Sequence, residues 1–316
     1  MSRIPLPGPK RRGPESVASN QSGFVILAYP DTAPFFWISP NGSDWDAVNL
    51  SGSWAGGRID EVINWNGQFL GVGVTSTNAD AHAAFWTSDD GRAWQELPDS
   101  PALAFFIVPP RSSPDKVYIA HVEVDAGDVV AVGEASCQPY CDGLVAAVRW
   151  RSSDGVNWIR RELRRDYPDL RKPVRVGDRW VRIEDTRGAL ETSLDQQTWE
   201  NAWRPYWSPG DYYAAQIYDL EWTSFGLFAV GEINHEPTGD YLPLVLNSTD
   251  GLTWTRLAWP DLEPASPQFL ASNDDLLVMV GYGGNPERPY VWLSTPLPGA
   301  PWTTQPFRKG HGPNGA

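Results

Sequence analysis

Ser152-Ser153-Asp154-Gly155-Val156-Asn157-Trp158 is the stretch on which the reading of the fold turns. An Asp in a tight turn accepts hydrogen bonds from backbone N–H groups just ahead of it, and the following Gly supplies a positive φ. Asp-Gly between two apolar runs therefore reads as a β-hairpin turn, and the Trp that opens the next strand packs back across the hairpin. The pattern S-x-D-G-x-x-W recurs at Ser88 to Trp94 and Ser248 to Trp254. Ser39 to Trp45 carries Asn41 in place of the Asp, Ser193 to Trp199 keeps Asp195 but loses the Gly, and Ser294 to Trp302 is a longer, degraded copy. The closing tryptophans, Trp45, Trp94, Trp158, Trp199, Trp254 and Trp302, are spaced by about 40 to 65 residues, as in an array of repeated supersecondary units.

Upstream of each turn lies an apolar run, often closed by Gly: Gly67 to Gly73, Gly127 to Gly133, Gly226 to Gly231 and Leu276 to Gly281, with looser versions at Gly23 to Tyr29 and Gly177 to Ile183. Continuous apolar runs of this length suit strands buried on both faces. The terminal Gly permits a neighbouring backbone to come close. With a strand before and a strand after, each unit becomes a four-stranded blade, as Arg58 to Trp65, Gln68 to Val74, Ala83 to Thr87 and Ala93 to Leu97 show. One such sheet cannot bury both faces, whereas a ring of them can. The expected fold is all-β, a six-bladed β-propeller with units at 15–50, 57–98, 116–164, 170–203, 213–260 and 267–307. The insertion Pro98 to Asp115 is too short for another blade, so six is preferred to seven. The domain is expected over 15–307, with tails at 1–14 and 308–316.

The turn resembles the Asp-box (BNR) repeat of sialidases, sortilin-type receptors and photosystem assembly propellers. The resemblance spans nearly the whole chain, with one residue fewer before the Gly than the usual box. It implies that Asn41, Asp90, Asp154, Asp195 and Asp250 are structural, since the box lies far from the active site in the enzymes that carry it. In sialidases three arginines grip the substrate carboxylate, a Tyr assisted by a Glu is the nucleophile, and an Asp is the acid/base. Arg3-Ile4-Pro5 matches the motif of the first arginine but stands about ten residues ahead of the expected first strand. Asp31 is suitably placed for the acid, while Arg175, Arg288, Tyr212 and Glu221 match no motif and are nominal candidates only.

The rest of the composition bounds the function. The 316 residues include 17 Trp, 29 Gly and 29 Pro, and carry a formal charge of −14. An acidic surface repels phosphate backbones, which excludes nucleic acid as a general partner. The basic run from Arg160 to Arg182 is interspersed with Glu162, Asp166, Asp169 and Asp178, and reads as a charged edge that blocks strand pairing. No apolar run approaches the length of a membrane helix, and Lys10-Arg11-Arg12 is followed by no adequate apolar stretch. Neither membrane insertion nor a cleavable signal is expected, and the cytoplasm is the default compartment. Cys137 and Cys141 suit either a small loop disulfide or two reduced thiols. His121 and Glu123 share a strand face without a third ligand, so neither metal nor cofactor is expected.

Loops that enter the first strand of a blade, or join its second and third strands, share one rim, where ligands meet a rigid ring. Here they are aromatic: Trp203, Tyr206, Trp207, Tyr212 and Tyr213 on one segment, with Trp54, Tyr140, Tyr167, His235 and Tyr241 on the same side. Such rings either stack on sugars and anchor protein partners or cover gaps between blades. The sequence alone favours a non-catalytic propeller that recognises a protein or glycan, with a sialidase-like glycoside hydrolase as the alternative. It does not fix the oligomeric state.

Overall fold

A computed structural model describes residues 2–6, 13–29, 33–50, 54, 57–75, 80–106, 116–137, 143–163, 173–184, 188–204, 212–235, 240–257, 265–283 and 288–294. Among them are six four-stranded antiparallel sheets and a single short 3-10 turn, Pro101–Leu103. The chain is a six-bladed β-propeller, as the repeat predicts.

The first strand, β1 (Ser2–Pro5), stands apart and is taken up below. Blade one is β2 (Pro14–Asn20), β3 (Gly23–Ala28), β4 (Phe35–Ser39) and β5 (Asp46–Asn49). Blade two is β6 (Arg58–Trp65), β7 (Gln68–Val74), β8 (Ala83–Ser88) and β9 (Gln95–Glu96). Blade three is β10 (Lys116–Asp125), β11 (Asp128–Cys137), β12 (Gly143–Ser152) and β13 (Ile159–Leu163). Blade four is β14 (Val174–Val176), β15 (Arg179–Ile183), β16 (Leu190–Ser193) and β17 (Glu200–Trp203). Blade five is β18 (Tyr212–Thr223), β19 (Gly226–His235), β20 (Asp240–Ser248) and β21 (Thr255–Arg256). Blade six joins β22 (Ala265–Ser272), β23 (Leu277–Gly283) and β24 (Arg288–Ser294) to β1.

The sixth blade corrects two expectations. Ser2–Pro5 is not a tail: it pairs antiparallel with β24, Arg3 opposite Trp292 and Pro5 opposite Tyr290. The fourth strand of blade six therefore comes from the other end of the chain, not from residues near 307. Pro14 already belongs to β2. The sixth turn copy beyond Ser294, and the segment 308–316, lie outside the described residues.

Two compact units divide the chain. In the unit made of Glu15–Ile38 and Ala47–Lys172, one core joins Val25, Leu27 and Phe36 to Ile59, Val62, Phe69 and Trp86, and a second joins Leu70, Val72 and Phe85 to Val117, Ile119, Val129 and Trp150. In the other unit, Val181 and Leu190 pack with Ile217, Leu227 and Leu244, while Phe228, Val230 and Val245 pack with Leu270, Met279 and Trp292. Successive residues of β7 and of β19 thus serve different cores. A strand-2 position exposed to solvent on one side would alternate apolar with polar; these are apolar throughout because both faces are covered.

The S-x-D-G-x-x-W turns behave as their chemistry requires. Asp154 Oδ1 accepts from the N–H groups of Val156 (2.9 Å) and Asn157 (2.8 Å), and Ser152 Oγ accepts from Gly155 N–H (2.9 Å). These donors hold the Asp154 carboxyl well below the usual carboxylate range, and the equivalent bonds from Thr253 and Leu252 lower Asp250 to about 2. Gly155 sits at φ +74°, and a Cβ there would lie 2.8 Å from Leu97 Cδ1 and 3.2 Å from the Trp65 ring. The turn of blade three is therefore a packing surface for blade two. Trp158 follows the same rule: it donates to Gly155 O (3.1 Å) and stacks on Phe85 at 4.1 Å. Where blade four lacks the Gly, Gln196 itself adopts φ +60° and the same bonds form, with Asp195 accepting from Gln197 and Thr198 at 2.8 Å.

Candidate active site

The first strands of four blades share an irregularity. Register shifts fall between Ile59 and Glu61 in β6, Ile119 and His121 in β10, Ile217 and Asp219 in β18, and Pro267 and Phe269 in β22. One residue is extruded in each: Asp60, Ala120, Tyr218 and Gln268. Opposite every bulge stands the Gly that closes the strand-2 run, as Ile59 faces Gly73, Ile119 faces Gly133, Ile217 faces Gly231 and Pro267 faces Gly281. A Cβ on Gly73 would sit 1.7 Å from Arg58 O, and one on Gly231 would sit 1.9 Å from Gln216 O. The absent side chain is what lets the bulged backbone press against its neighbour. Bulges re-aim side chains, and these lie at the end of each sheet opposite the S-x-D-G-x-x-W turns.

In blade two the extruded residue is an acid. Asp60 is nearly buried, its side chain only 6% exposed, and its Oδ2 accepts from the Ile119 N–H of blade three at 2.7 Å. Its Oδ1 lies 2.9 Å from Arg58 Nε, and Arg58 Nη2 reaches Glu15 at 3.7 Å. Burial dominates and raises the Asp60 carboxyl from 3.8 to about 6, against the Ile119 N–H and Arg58, which favour the anion, and with Glu15, which disfavours it. Beside Ile119, Tyr118 donates to Glu134 Oε2 across the β10–β11 pair at 2.5 Å. Burial, then the Glu134 bond and the charges of Glu134 and Asp60, push the Tyr118 phenol up to about 12. Tyr29 completes the floor by accepting from the Ile59 N–H at 2.5 Å, and its burial raises its phenol further still.

The set thus holds an acid that titrates near neutrality and a phenol whose proton already has an acceptor. Matching the proton donor to the working pH is what general acid catalysis needs. Among the described residues of this cluster the arginine is Arg58. No group of metal-ligating residues occurs among the described residues, and His121 Nε2 meets Glu123 only at 3.9 Å.

The residues singled out from sequence fare differently. Trp54 leans on Trp86, ring centroids 5.0 Å apart, and donates to Gly57 O; Trp203 packs against the core of blades four and five. Both cover apolar surface. Tyr241 is 46% exposed on β20. Tyr140, Tyr167, Tyr206 and Trp207 lie outside the described residues, as do the side chains of Tyr212, Tyr213 and His235. The same holds for Asp31, for Cys141 and for the side chains of Arg3, Cys137 and Arg288. Arg175 is occupied locally, donating to Gly177 O and lying over the Trp180 ring. Glu221 faces Phe228 across the β18–β19 pair. Arginines of the basic run are likewise spent nearby: Arg160 binds Glu162 and the carbonyls of Ala104 and Phe105, and Arg182 binds Glu191 over the Trp199 ring.

No family model matches the sequence, and no curated protein does. Solved structures do match. Trypanosoma rangeli sialidase aligns with 92% of this chain and 57% of its own, at 11% identity and a TM-score of 0.56. An endo-arabinase from Bacteroides thetaiotaomicron aligns with 94% of this chain and 97% of its own, at 13% identity and a TM-score of 0.42. A glycosyl hydrolase from Bacteroides ovatus aligns over 93% and 87%, at 12% identity and 0.38. At such identities the likeness is one of fold, and the chain spans little more than half the length of the sialidase. The chain shares the propeller fold of the sialidase. Its neighbours are glycoside hydrolases, which corrects the expectation of a non-catalytic binding propeller.

Proposed function

We propose that this protein is a sialidase-like glycoside hydrolase whose repeats are Asp-boxes and whose reacting groups are Asp60, Tyr118 and Glu134. The observation that carries the reading is the buried Asp60, raised to about 6, beside a tyrosine hydrogen-bonded to a glutamate. The fold shared with Trypanosoma rangeli sialidase supports it. In the first step the Tyr118 oxygen attacks the anomeric carbon and its proton passes to Glu134, while the Asp60 proton passes to the departing glycosidic oxygen. In the second, water attacks the glycosyl-tyrosine, Asp60 takes the water's proton, and Glu134 returns one to the phenolate. Two inversions at one carbon give net retention.

The test is turnover of fluorogenic glycosides, a sialoside among them, by wild type and Asp60→Asn. Loss of a general acid should lower kcat by about 10²-fold or more with KM little changed. Wild-type activity should fall as pH rises through about 6, where Asp60 loses its proton. Turnover of no glycoside by wild type, or equal turnover by Asp60→Asn, would overturn the assignment.

A further inference from the structure

The other unit contains a second polar set at the same end of its sheets. Between blades five and six the core is apolar, running through Phe228, Val230, Val245, Leu270, Met279 and Trp292. Two and four residues beyond Val230 on the same face of β19 stand Glu232 and Asn234. Tyr218, the residue extruded from β18, donates to Glu232 Oε1 at 2.8 Å. Ser266, at the start of β22, sets its Oγ against that phenol, and Asn234 Oδ1 is buried with no partner. Tyr241 pairs with Asn234 across β19 and β20, and its ring is 46% exposed within electrostatic reach of Tyr218.

A seam that is apolar for most of its length and then turns polar, with a buried carbonyl oxygen left unmatched, is costly unless something supplies the missing partner. The unmatched group is the Asn234 carbonyl, which accepts. The exposed aromatic beside it offers a flat apolar face. Vicinal hydroxyls on a ring with one apolar face meet both demands.

We propose that this cluster, formed by Tyr218, Glu232, Asn234, Ser266 and Tyr241, is a sugar-binding site that takes a neutral ring. Neutrality follows from charge: Glu232 is the ionisable acid of the set and no described side chain in it is a cation, so a carboxylated sugar would meet repulsion without compensation. The inference concerns sugar binding in this unit and goes beyond the hydrolase reading, and binding is measured apart from turnover so that the two fail separately.

The probes are the methyl glycosides of glucose, galactose, mannose and arabinose, and of N-acetylneuraminic acid, titrated by ligand-observed NMR into the full chain. At least one neutral glycoside should bind and the neuraminide should not. Tyr241→Ala and Glu232→Gln should each weaken that binding about tenfold or more, and Tyr241→Phe should retain it. Asp60→Asn should bind as wild type does. Binding of the neuraminide alone, of no neutral glycoside, or with equal affinity to Tyr241→Ala would overturn the site. Should Glu232→Gln fail to fold, the exposed Tyr241 pair of variants decides the matter alone. A loss of turnover with binding intact, or the reverse, separates this inference from the hydrolase assignment.

Discussion

Replacing Asp60 by Asn should make the protein more stable at pH 8. Asn matches the Asp in shape, and its Oδ1 can accept the Ile119 N–H that Asp60 Oδ2 accepts at 2.7 Å. What it removes is the buried charge. A carboxyl raised from 3.8 to about 6 makes the anion about 3 kcal/mol costlier in the folded chain than in the unfolded one. Against this stands the lost attraction of Arg58, whose side chain is 51% exposed and keeps Glu15 as partner, so the loss is small. The net gain should be about 1–3 kcal/mol at pH 8, a few degrees in Tm. The sign with pH follows from the raised value. Between about pH 4 and 6 the folded chain holds a proton that the unfolded chain has released, so this group favours folding below that window and ceases to as pH rises through 6. Urea denaturation of both proteins at pH 4, 6 and 8 is the assay. The advantage of Asp60→Asn should shrink toward nothing at pH 4. A variant less stable than wild type at pH 8, or an advantage independent of pH, would refute the reasoning that burial controls this carboxyl.

Trp158→Ala should cost about 3–5 kcal/mol in urea denaturation, because the ring is 9% exposed and stacked on Phe85 at 4.1 Å. It should leave the pH profile of any activity unchanged, since the turn is at the other end of the sheet from Asp60. Gly73→Ala should destabilise by about 1–3 kcal/mol or more and abolish turnover, because its Cβ would meet backbone at Arg58 and displace the bulge that carries Asp60. Gly67→Ala is the control: nothing lies within 4 Å of its Cβ, and its φ of +82° alone should cost about 1–2 kcal/mol without touching the pH profile of turnover.

The blade repeat was legible because it is written in local chemistry. Ser, Asp and Gly must follow one another for the turn to close, and the apolar run must lack polar residues to be covered on both sides. The residues proposed to react are legible only through pairing. Asp60 has no local mark; it is set by a register shift against β7, whose visible trace in sequence is Gly73. Tyr118 and Glu134 meet because β10 and β11 pair there, and the Val-Gly-Glu of Val132 to Glu134, repeated at Val230 to Glu232, was the available signal. Aromatic richness has two readings. Trp54 and Trp203 look like ligand platforms in a loop-rich sequence, but a Trp ring beside an apolar core is the largest patch available to seal it. Arg3-Ile4-Pro5 carried a misleading resemblance to a substrate-binding motif while forming an outer strand whose partner no local pattern could indicate.

That outer strand has a bearing on how the protein is made. Ser2–Pro5 leaves the ribosome long before the residues it must pair with, from Tyr290 to Leu293. During synthesis β24 does not yet exist, and the N-terminal strand remains an unpaired edge while the other blades assemble. Folding of blade six must wait on a contact between residues as far apart in sequence as Ser2 and Leu293, a slow kind of closure. A tag or fusion placed ahead of Ser2 sits beside that seam, whereas the hairpin at Gly67, where a Cβ meets nothing within 4 Å, offers room for an insertion.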